Sequence, residues 1–418
     1  MQAIPDKAIT PPPECTGCAL CANVCAHDAI NMVWSEDGFL VPEVDATRCM
    51  NCGACVKACP AQPEHLGKLR AETDNTPEPP EAYGGWNTEN ETHLVSSSGG
   101  IFTALAQHTF NAGGCVFGVV WSSKDTAEFT KAENMAELAA MRGSKYTQAM
   151  PGTVYRQVKA ELKKGRQVLF CGTSCQVYAL RRYLRKEYDN LLLVDILCHG
   201  VPSRHLLQSY IQHYELTEGK EISEITFRHK DGDWENYKVQ KRFKDASSVS
   251  HPNGEDMFIR LFVGDIVLNK ACYNCPHARL PRVGDITLGD FWGVTETGHA
   301  DWPIKDGISS VLSNTSKGES LLRKLNQQNE LILQPTCFAQ LYKGQPFTYI
   351  RKGEELPQDR ENALLQLSRK RIFPLYKRLY LVEKCGPFRL SKGSSLHKIY
   401  ERLRDIKRRL FARIPRSR

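Results

Sequence analysis

The chain has 418 residues, a formal net charge of +8 and 41% hydrophobic residues, enough for two or three domains with buried cores. It contains no apolar run of the eighteen or more residues that a membrane span needs, so we expect a soluble protein. The positive charge is concentrated at the C-terminus, where residues 368–418 carry 17 Lys or Arg against 3 Asp or Glu.

Two copies of the spacing CxxCxxCxxxC lie near the N-terminus and predict two [4Fe-4S] clusters. In this spacing three thiolates bind one cluster, and the fourth cysteine ligates the other. We assign to cluster I the residues Cys15, Cys18, Cys21 and Cys59. We assign to cluster II the residues Cys49, Cys52, Cys55 and Cys25.

The alternatives are a disulfide framework or a pair of zinc sites. The first residues lack the basic and apolar segments of an exported chain, so we expect reduced thiols. Zinc favours two CxxC pairs over this spacing. Pro60 follows Cys59 as in bacterial ferredoxins, whereas Ala26 follows Cys25. The proline shapes the exit turn and gives no ligand to iron, so its loss concerns the backbone and not the cluster.

In chain order, the sequence predicts a dicluster ferredoxin domain over 1–67, a Pro- and acid-rich linker over 68–92, and then alternating helices and strands. This alternation is typical of an α/β domain with a partly parallel sheet. The predicted helices begin after Gly100 and cover 151–164 and about 172–185, and the predicted strands cover 115–121, 167–171, 191–198, 285–291 and 308–312. Asp231-Gly232-Asp233, between two β-rich runs, predicts a hairpin.

These predictions give an α+β or α/β fold class, with a ferredoxin domain followed by a mixed-sheet α/β catalytic domain. We divide the catalytic domain into an N-terminal part, 93–170, and a C-terminal part, 171–335. Residues 336–418 are predicted as a helical basic tail.

A second group of cysteines offers a third [4Fe-4S] cluster. Cys272 and Cys275 form a CxxC, and Cys175 and Cys198 lie near the ends of predicted sheet elements, where α/β folds gather ligand sites. The alternative is that Cys175 and Cys198 are buried core residues. Cys171 could replace Cys175 as a ligand. For the remaining cysteines a core or surface position is favoured: Cys115, Cys337 and Cys385.

Two polar motifs suit an anionic cofactor. Residues 96–100, Ser-Ser-Ser-Gly-Gly, precede a predicted helix whose N-terminus would favour a phosphate, although ordinary helix capping explains the same residues. Residues 142–146, Arg-Gly-Ser-Lys-Tyr, suit a pyrophosphate or a flat ring, or form a solvated loop. Neither GxGxxG nor GxxxxGK[ST] occurs, so a nicotinamide is not expected as direct donor.

Together, several motifs resemble the coenzyme F420 hydrogenase/dehydrogenase beta-subunit family over about residues 10 to 315. They are Ser98-Gly-Gly100, Ser144-Lys-Tyr146, Gly172-Thr-Ser-Cys175-Gln, Cys198-His-Gly-Val-Pro-Ser203, Phe227-Arg-His-Lys230, Cys272-Tyr-Asn-Cys275 and Asp285-Ile-Thr-Leu-Gly-Asp-Phe-Trp-Gly293. The resemblance implies FAD as central cofactor, one cluster near it, and electron exchange with the N-terminal clusters. Ser174 stands where the family usually has a proline.

The resemblance also implies residue roles. The flavin contacts would be Ser98, Gly99, Gly100, Ser144, Lys145, Tyr146, Gly172 and Thr173. The ligands of cluster III would be Cys175, Cys198, Cys272 and Cys275. His199 is the candidate proton donor, or a histidine merely hydrogen-bonded at a strand end. Asp290 either orients a ligand or forms a turn.

Apolar residues between Leu403 and Ile414 recur at helical spacing among cations, which predicts a basic amphipathic helix. Such a helix could lie on an anionic membrane, dock an acidic electron carrier, or form a solvated face. Nucleic acid is not expected, because no reading motif accompanies the charge.

We expect an oxidoreductase of the cytoplasm or membrane surface that takes electrons from a ferredoxin-like carrier and reduces an organic substrate, with a sugar or lipid-linked sugar precursor suggested by the family's association with surface-polysaccharide genes. The alternatives are an electron-transfer relay without its own substrate and an oxidoreductase of the deazaflavin coenzyme. A homo-oligomer is compatible with each of these functions.

Overall fold

The computed structural model describes residues 5–71, 80–299, 301–349, 356–377 and 379. The predicted amphipathic helix near 403–414 and Cys385 lie outside these residues. In the described part of the chain, no helix is long and apolar enough to cross a membrane.

The N-terminal domain combines a two-stranded antiparallel sheet with short helices. Its elements are α1 (Leu20–Val24), β1 (Ile30–Trp34), β2 (Leu40–Val44), α2 (Ala54–Ala58) and α3 (Pro63–Ala71). The helices α1 and α2 occupy equivalent positions in the two copies of the cysteine motif. Each begins after a residue in the left-handed backbone conformation, Ala19 for α1 and Gly53 for α2, and each ends at the fourth cysteine of its copy.

A nine-stranded mixed sheet forms the centre of the molecule. Its strands are β3 (Glu81–Asn87), β4 (Cys115–Ser123), β5 (Thr126–Ala132), β6 (Ala149–Met150), β7 (Val168–Thr173), β8 (Leu191–Ile196), β12 (Ile286–Asp290), β13 (Ser309–Ser313) and β14 (Leu331–Thr336). The strand order is β14-β3-β13-β12-β8-β7-β4-β5-β6. The central strands β12, β8, β7 and β4 are parallel to one another, which confirms the predicted partly parallel sheet.

Helices cover both faces of this sheet. They are α4 (Asn90–Val95), α5 (Ile101–Asn111), α6 (Met135–Leu138), α7 (Val154–Lys163), α8 (Ser174–Leu184) and α12 (Ser316–Gln327). Because side chains alternate along a strand, Val116 packs with α5 and α12 on one face, whereas Phe117 packs with α7 and α8 on the other. Leu20 of α1 joins the second group, so the ferredoxin domain lies against α7 and α8.

A smaller unit packs around an antiparallel sheet of β9 (Ile222–His229), β10 (Lys238–Phe243) and β11 (Ser248–Pro252). The pairing of β9 with β10 confirms the hairpin predicted at Asp231-Gly232-Asp233. The helices of this unit and of the following chain are α9 (Arg204–Glu218), α10 (Met257–Val263), α11 (Lys270–Tyr273), α13 (Phe338–Gly344), α14 (Pro346–Tyr349), α15 (Arg360–Ser368) and α16 (Ile372–Tyr376).

The structure corrects three predicted boundaries. The end of α3, the whole of strand β3 and the start of helix α4 lie within the predicted 68–92 linker, because β3 pairs with both β13 and β14 in the central sheet. The divisions at 170/171 and 335/336 cut β7 and β14, so the two catalytic parts share one sheet. The first segments of the predicted tail are helical as expected, but Leu341, Leu364 and Leu375 are buried in cores, so that part is not a tail.

Candidate iron–sulfur centres and redox site

The four thiols assigned to cluster I lie together in the structure. Burial raises the pKa of Cys15 to about 12, and the thiols of Cys18 and Cys59 contribute to this rise. Burial also raises the pKa of Cys21 well above its ordinary value, and the thiols of Cys18, Cys15 and Cys59 contribute. Crowded, buried thiols ionise with difficulty unless a metal compensates their charge, since coordination deprotonates them. The set therefore fits an iron–sulfur cluster.

The thiols assigned to cluster II line a separate cavity at the surface. Cys25, Cys49, Cys52 and Cys55 share this cavity with Lys7, His27 and Met50. Cys52 and Met50 are exposed, and the exposed fraction of Met50 is 67%.

The fourth cysteines of the two motif copies have similar backbone conformations. Cys25 has φ −71° and ψ 112°, and Cys59 has φ −63° and ψ 120°. Ala26 in place of proline therefore leaves the backbone of the fourth ligand unchanged.

The four cysteines proposed for cluster III line one cavity between the sheet and α11. Cys175 is the second residue of α8, directly after β7, and Cys198 follows β8. Because β7 and β8 are adjacent and parallel, their carboxyl ends bring these two cysteines together, and Cys272 and Cys275 complete the lining. Burial raises the pKa of Cys175 well above its ordinary value, and the thiols of Cys275, Cys198 and Cys18 contribute.

No group of three or more His, Cys, Asp or Glu side chains in the described ranges is placed to hold a single metal ion. Thiolates around one zinc ion, at about 2.3 Å from the metal, converge on one point. A [4Fe-4S] cluster instead binds each thiolate at a different iron, so its ligands are spread around a larger group.

The remaining cysteines among the described residues are Cys115, Cys171 and Cys337. Cys115 is fully buried in the core beside α7 and α8, which confirms the core position expected for it. Cys171 packs against the opposite face of the sheet, and burial raises its pKa to about 12. Cys171 is absent from the lining of the cluster III cavity, so it does not replace Cys175. Cys337 is exposed.

The Ser98-Gly-Gly100 motif packs tightly against the sheet. The Ser98 hydroxyl donates to the Ile308 carbonyl at 2.8 Å, and the Gly99 N–H donates to the Ser309 hydroxyl at 2.9 Å. Gly100 adopts φ +81° at the start of α5, a conformation that favours glycine. The flavin contacts predicted for these three residues remain predictions.

In the Ser144-Lys-Tyr146 motif, the Ser144 N–H and hydroxyl contact the Ser97 hydroxyl at 3.0 and 3.1 Å. The Lys145 ammonium donates to four carbonyl groups of residues 140–143, and burial lowers its pKa to about 8. Its hydrogen bonds therefore fix the loop itself.

Four of the sequence motifs meet around Arg228. Its guanidinium forms a bidentate ion pair with Asp290, contacts the Tyr146 hydroxyl at 3.4 Å, and stacks on Tyr237 and Trp292 at 4.2 and 4.9 Å. Lys230 links the motif that contains Arg228 to the Ser98-Gly-Gly100 motif. Its ammonium donates to the carbonyls of Ser98 at 2.9 Å and His93 at 2.7 Å. Burial lowers the pKa of Lys230 to about 8.

Family models match most of the chain. The model for the coenzyme F420 hydrogenase/dehydrogenase beta subunit N-terminus matches residues 82–154, the model for its C-terminus matches 165–337, and a 4Fe-4S dicluster domain matches 14–62. The chain belongs to the coenzyme F420 hydrogenase/dehydrogenase beta-subunit family. It is an oxidoreductase-type iron–sulfur protein with an N-terminal ferredoxin-like domain.

Two individual proteins are also similar to parts of this chain. One component of the Na(+)-translocating ferredoxin:NAD(+) oxidoreductase complex of Acetobacterium woodii is 50% identical over 46 residues, which are 11% of this chain and 13% of that relative's length. A chain in a xenon-derivatised structure of the F420-reducing [NiFe] hydrogenase complex from Methanosarcina barkeri is 16% identical, with a TM-score of 0.44, covering 74% of this chain and 94% of that one.

His199 lines the cluster III cavity of this beta-subunit-family chain. Its Nε2 lies 2.9 Å from a carboxylate oxygen of Asp265, and its ring packs edge-on against Phe262 at 5.0 Å. Phe262 also contacts Tyr146 at 5.1 Å. This one phenyl ring therefore separates the cysteine cavity from the Arg228 cluster. The proton-donor role predicted for His199 stays a prediction.

The sequence analysis missed several residues that lie beside the cavity proposed for cluster III. The carboxylate of Asp195 is fully buried and accepts from Arg282 at 2.7 Å and Ser174 at 2.8 Å. The replacement of the family's proline by Ser174 thus adds a hydrogen bond at the first residue of α8. An aspartate inside the apolar run 191–197 was the available signal, because a buried carboxylate requires a partner.

His277, also missed, lines the same cavity and is 3% exposed. Burial lowers its pKa to about 3, with help from Arg279 and Arg282, so the ring is neutral. Thr173 lines the same cavity as His277, and Gly172 precedes it at the end of β7. Thr173 caps α8 through a capping box with Gln176, and its hydroxyl is 3.2 Å from the Cys175 sulfur.

Proposed function

We propose that this chain is a flavin- and iron–sulfur-dependent oxidoreductase in which electrons enter at cluster II, pass to cluster I and then to cluster III, and reduce an organic substrate beside His199. The observation that carries this proposal is the position of Cys175, whose thiol lies close to Cys275 and Cys198 of its own set and to Cys18 of cluster I. Electron transfer between centres depends on such short separations.

The order of the clusters follows from their exposure. Cluster II has an exposed cysteine at the surface, where an external carrier such as a ferredoxin could dock. Cluster I is covered by the sheet domain: the Tyr155 hydroxyl, fully buried, donates to the Cys18 carbonyl at 2.8 Å. Tyr155 lies close to both Cys18 and Cys175, so it is a neighbour of both cysteine sets.

The Arg228 cluster fits a flavin. The Nε atoms of Arg142 and Arg228 are buried without a hydrogen-bond partner among the described residues, and such donors suit the pyrophosphate or ring oxygens of FAD. Bound there, FAD would supply the conversion between one-electron and two-electron transfer. Tyr146, Trp292 and Phe262 would exclude water, and His199, oriented by Asp265, would hold a proton at the edge of this region.

The substrate class that we propose is a sugar or lipid-linked sugar, and its support is the family's association with surface-polysaccharide genes. Coenzyme F420, from which the family takes its name, is the second candidate substrate, because four of the motifs that resemble this family meet at Arg228.

Anaerobic purification with iron, sulfide and flavin quantification tests the proposal. We expect about twelve iron atoms, from three four-iron clusters, and one FAD per chain, together with reduction of a small acceptor from dithionite-reduced clusters. Clusters without flavin would instead identify an electron-transfer relay. Colourless protein with free or bridged N-terminal thiols would overturn the redox assignment.

A further inference from the structure

Two arginines of the sheet domain cap the two ferredoxin helices in equivalent ways. Arg156 of α7 donates to the carbonyls of Asn23 at 2.9 Å and Cys25 at 2.6 Å, at the end of α1. Arg182 of α8 donates to the Ala58 carbonyl at 3.0 Å, at the end of α2. Since α1 ends at a cluster II ligand and α2 at a cluster I ligand, each cluster has one guanidinium beside its fourth cysteine.

The two guanidinium groups differ in whether a carboxylate neutralises their positive charge. Arg156 forms an ion pair with Asp28 at 2.5 Å, which cancels most of its charge. No carboxylate of the residues described lies within ion-pair distance of Arg182. Its other side-chain neighbours are the Tyr178 ring, 6.0 Å from the guanidinium carbon, and His65 Nε2 at 3.5 Å. The opposite ring nitrogen of His65 contacts the Cys59 carbonyl at 2.7 Å, and Nε2 also lies 3.5 Å from the exposed carboxylate of Glu64.

The uncompensated charge of Arg182 acts on cluster I. Arg182 donates to the carbonyls of Ala58 at 3.0 Å and Lys57 at 3.3 Å, so its charge lies beside the backbone of the cluster I ligand Cys59. A cation beside a cluster favours the extra electron of its reduced form, because net charge and burial together set cluster potentials. Burial alone would make cluster I the harder one to reduce.

We propose that Arg182 raises the reduction potential of cluster I relative to cluster II, so that electrons entering at the exposed Cys52 move inward. This inference rests on the proposed function and adds a residue that sets the direction of electron transfer between its two N-terminal clusters. The neutral Arg156–Asp28 pair gives cluster II no equivalent stabilisation. Arg182 is a positioning and tuning residue, since it contacts carbonyl groups and no reacting atom.

The test is a potentiometric titration of the full, anaerobically purified chain, with each cluster followed by its electron paramagnetic resonance signal. A Cys52→Ser variant assigns the signal of cluster II. We expect Arg182→Gln to reduce the equilibrium constant for transfer from cluster II to cluster I about tenfold, or about 59 mV for one electron. Arg182→Lys keeps the charge and should keep most of the difference. Asp28→Asn, which frees the charge of Arg156 beside cluster II, should also reduce the constant.

The iron content distinguishes a failure of the proposed function from a failure of the inference about Arg182. If the variants and the parent lack the iron of two N-terminal clusters, the proposed function fails. If both clusters are present and Arg182→Gln leaves their potential difference unchanged, or if Arg182→Lys shifts it as far as Arg182→Gln, the inference about charge is overturned while the proposed function stands.

Discussion

Arg228 and Asp290 form a bidentate ion pair, with the two terminal guanidinium nitrogens 2.7 and 3.2 Å from the carboxylate oxygens. The Arg228 side chain is 3% exposed and that of Asp290 is 20% exposed. The pair joins the hairpin of β9 and β10 to the central sheet, because Asp290 ends β12. It is therefore a tertiary contact that both units need.

Removing this carboxylate should destabilise the protein. Asp290→Asn leaves the Arg228 cation buried without a counter-charge, and we expect a loss of about 3 kcal/mol in the free energy of unfolding. Glu296→Gln is the matched control, because its ion pair with Lys343 is exposed on both sides and should contribute less than about 1 kcal/mol. Thermal unfolding followed by circular dichroism measures both. Equal effects of the two substitutions would contradict the structural role of the buried pair.

The cysteine assignment predicts a defined change in iron content. Cys175→Ser removes one ligand from cluster III while leaving the eight N-terminal ligands intact, so we expect iron to fall from about twelve to about eight atoms per chain. Cys171→Ser, four residues earlier and on the opposite face of the sheet, should retain about twelve. Iron and sulfide analysis of anaerobically purified variants checks this. Iron loss from Cys171→Ser with none from Cys175→Ser would reverse the assignment.

Gly99 lies where a side chain cannot be accommodated. A Cβ at this position would overlap the Gly85 carbonyl oxygen and lie 2.9 Å from the Ser309 nitrogen, so we expect Gly99→Ala to destabilise the fold by about 3 kcal/mol. Gly67, inside α3, has no atom within 4 Å of its Cβ position. Gly67→Ala should stabilise by about 0.5–1 kcal/mol through helix propensity. A melting temperature that is unchanged in Gly99→Ala would refute the close packing of this loop.

His251 predicts a loss of stability in acid. Burial and the nearby Lys241 ammonium, 2.9 Å from Nδ1, lower its pKa. In the unfolded chain the ring titrates near its ordinary pKa of about 6.5. Below that pH the unfolded state therefore binds more protons than the folded state, and stability falls. This contribution is fully present above about pH 6.5 and is lost as the pH decreases.

The measurement is the change in melting temperature between pH 7.5 and 5.5. His251→Asn keeps an acceptor for Lys241 but cannot titrate, so we expect a smaller decrease in the variant than in the parent. Contributions from the clusters are common to both proteins and cancel in this comparison. Identical decreases would show that His251 does not contribute to the acid sensitivity.

Local patterns predicted the elements whose signals lie within a few residues of one another. The spacing of Cys15, Cys18 and Cys21 predicted a ligand turn, because three thiolates at intervals of three residues can bind one cluster. Strand β7 and helix α8 followed from apolar periodicity, and the hairpin at Asp231-Gly232-Asp233 from turn chemistry. Strand β3 was missed, since its glycine-rich sequence is recognisable as a strand only when β13 and β14 pair with it.

The sequence alone therefore predicted the N-terminal ligand sets, and it determined the family and the alternation of helices and strands, because each depends on local spacing or on a motif. Only the tertiary structure decided that Cys175 lies beside Cys18, that Arg182 and Arg156 cap opposite halves of the ferredoxin domain, and that Asp195 pairs with Arg282. These contacts join residues far apart in the chain, and their geometry is set by the packing of α7 and α8 on the sheet, which no local pattern encodes.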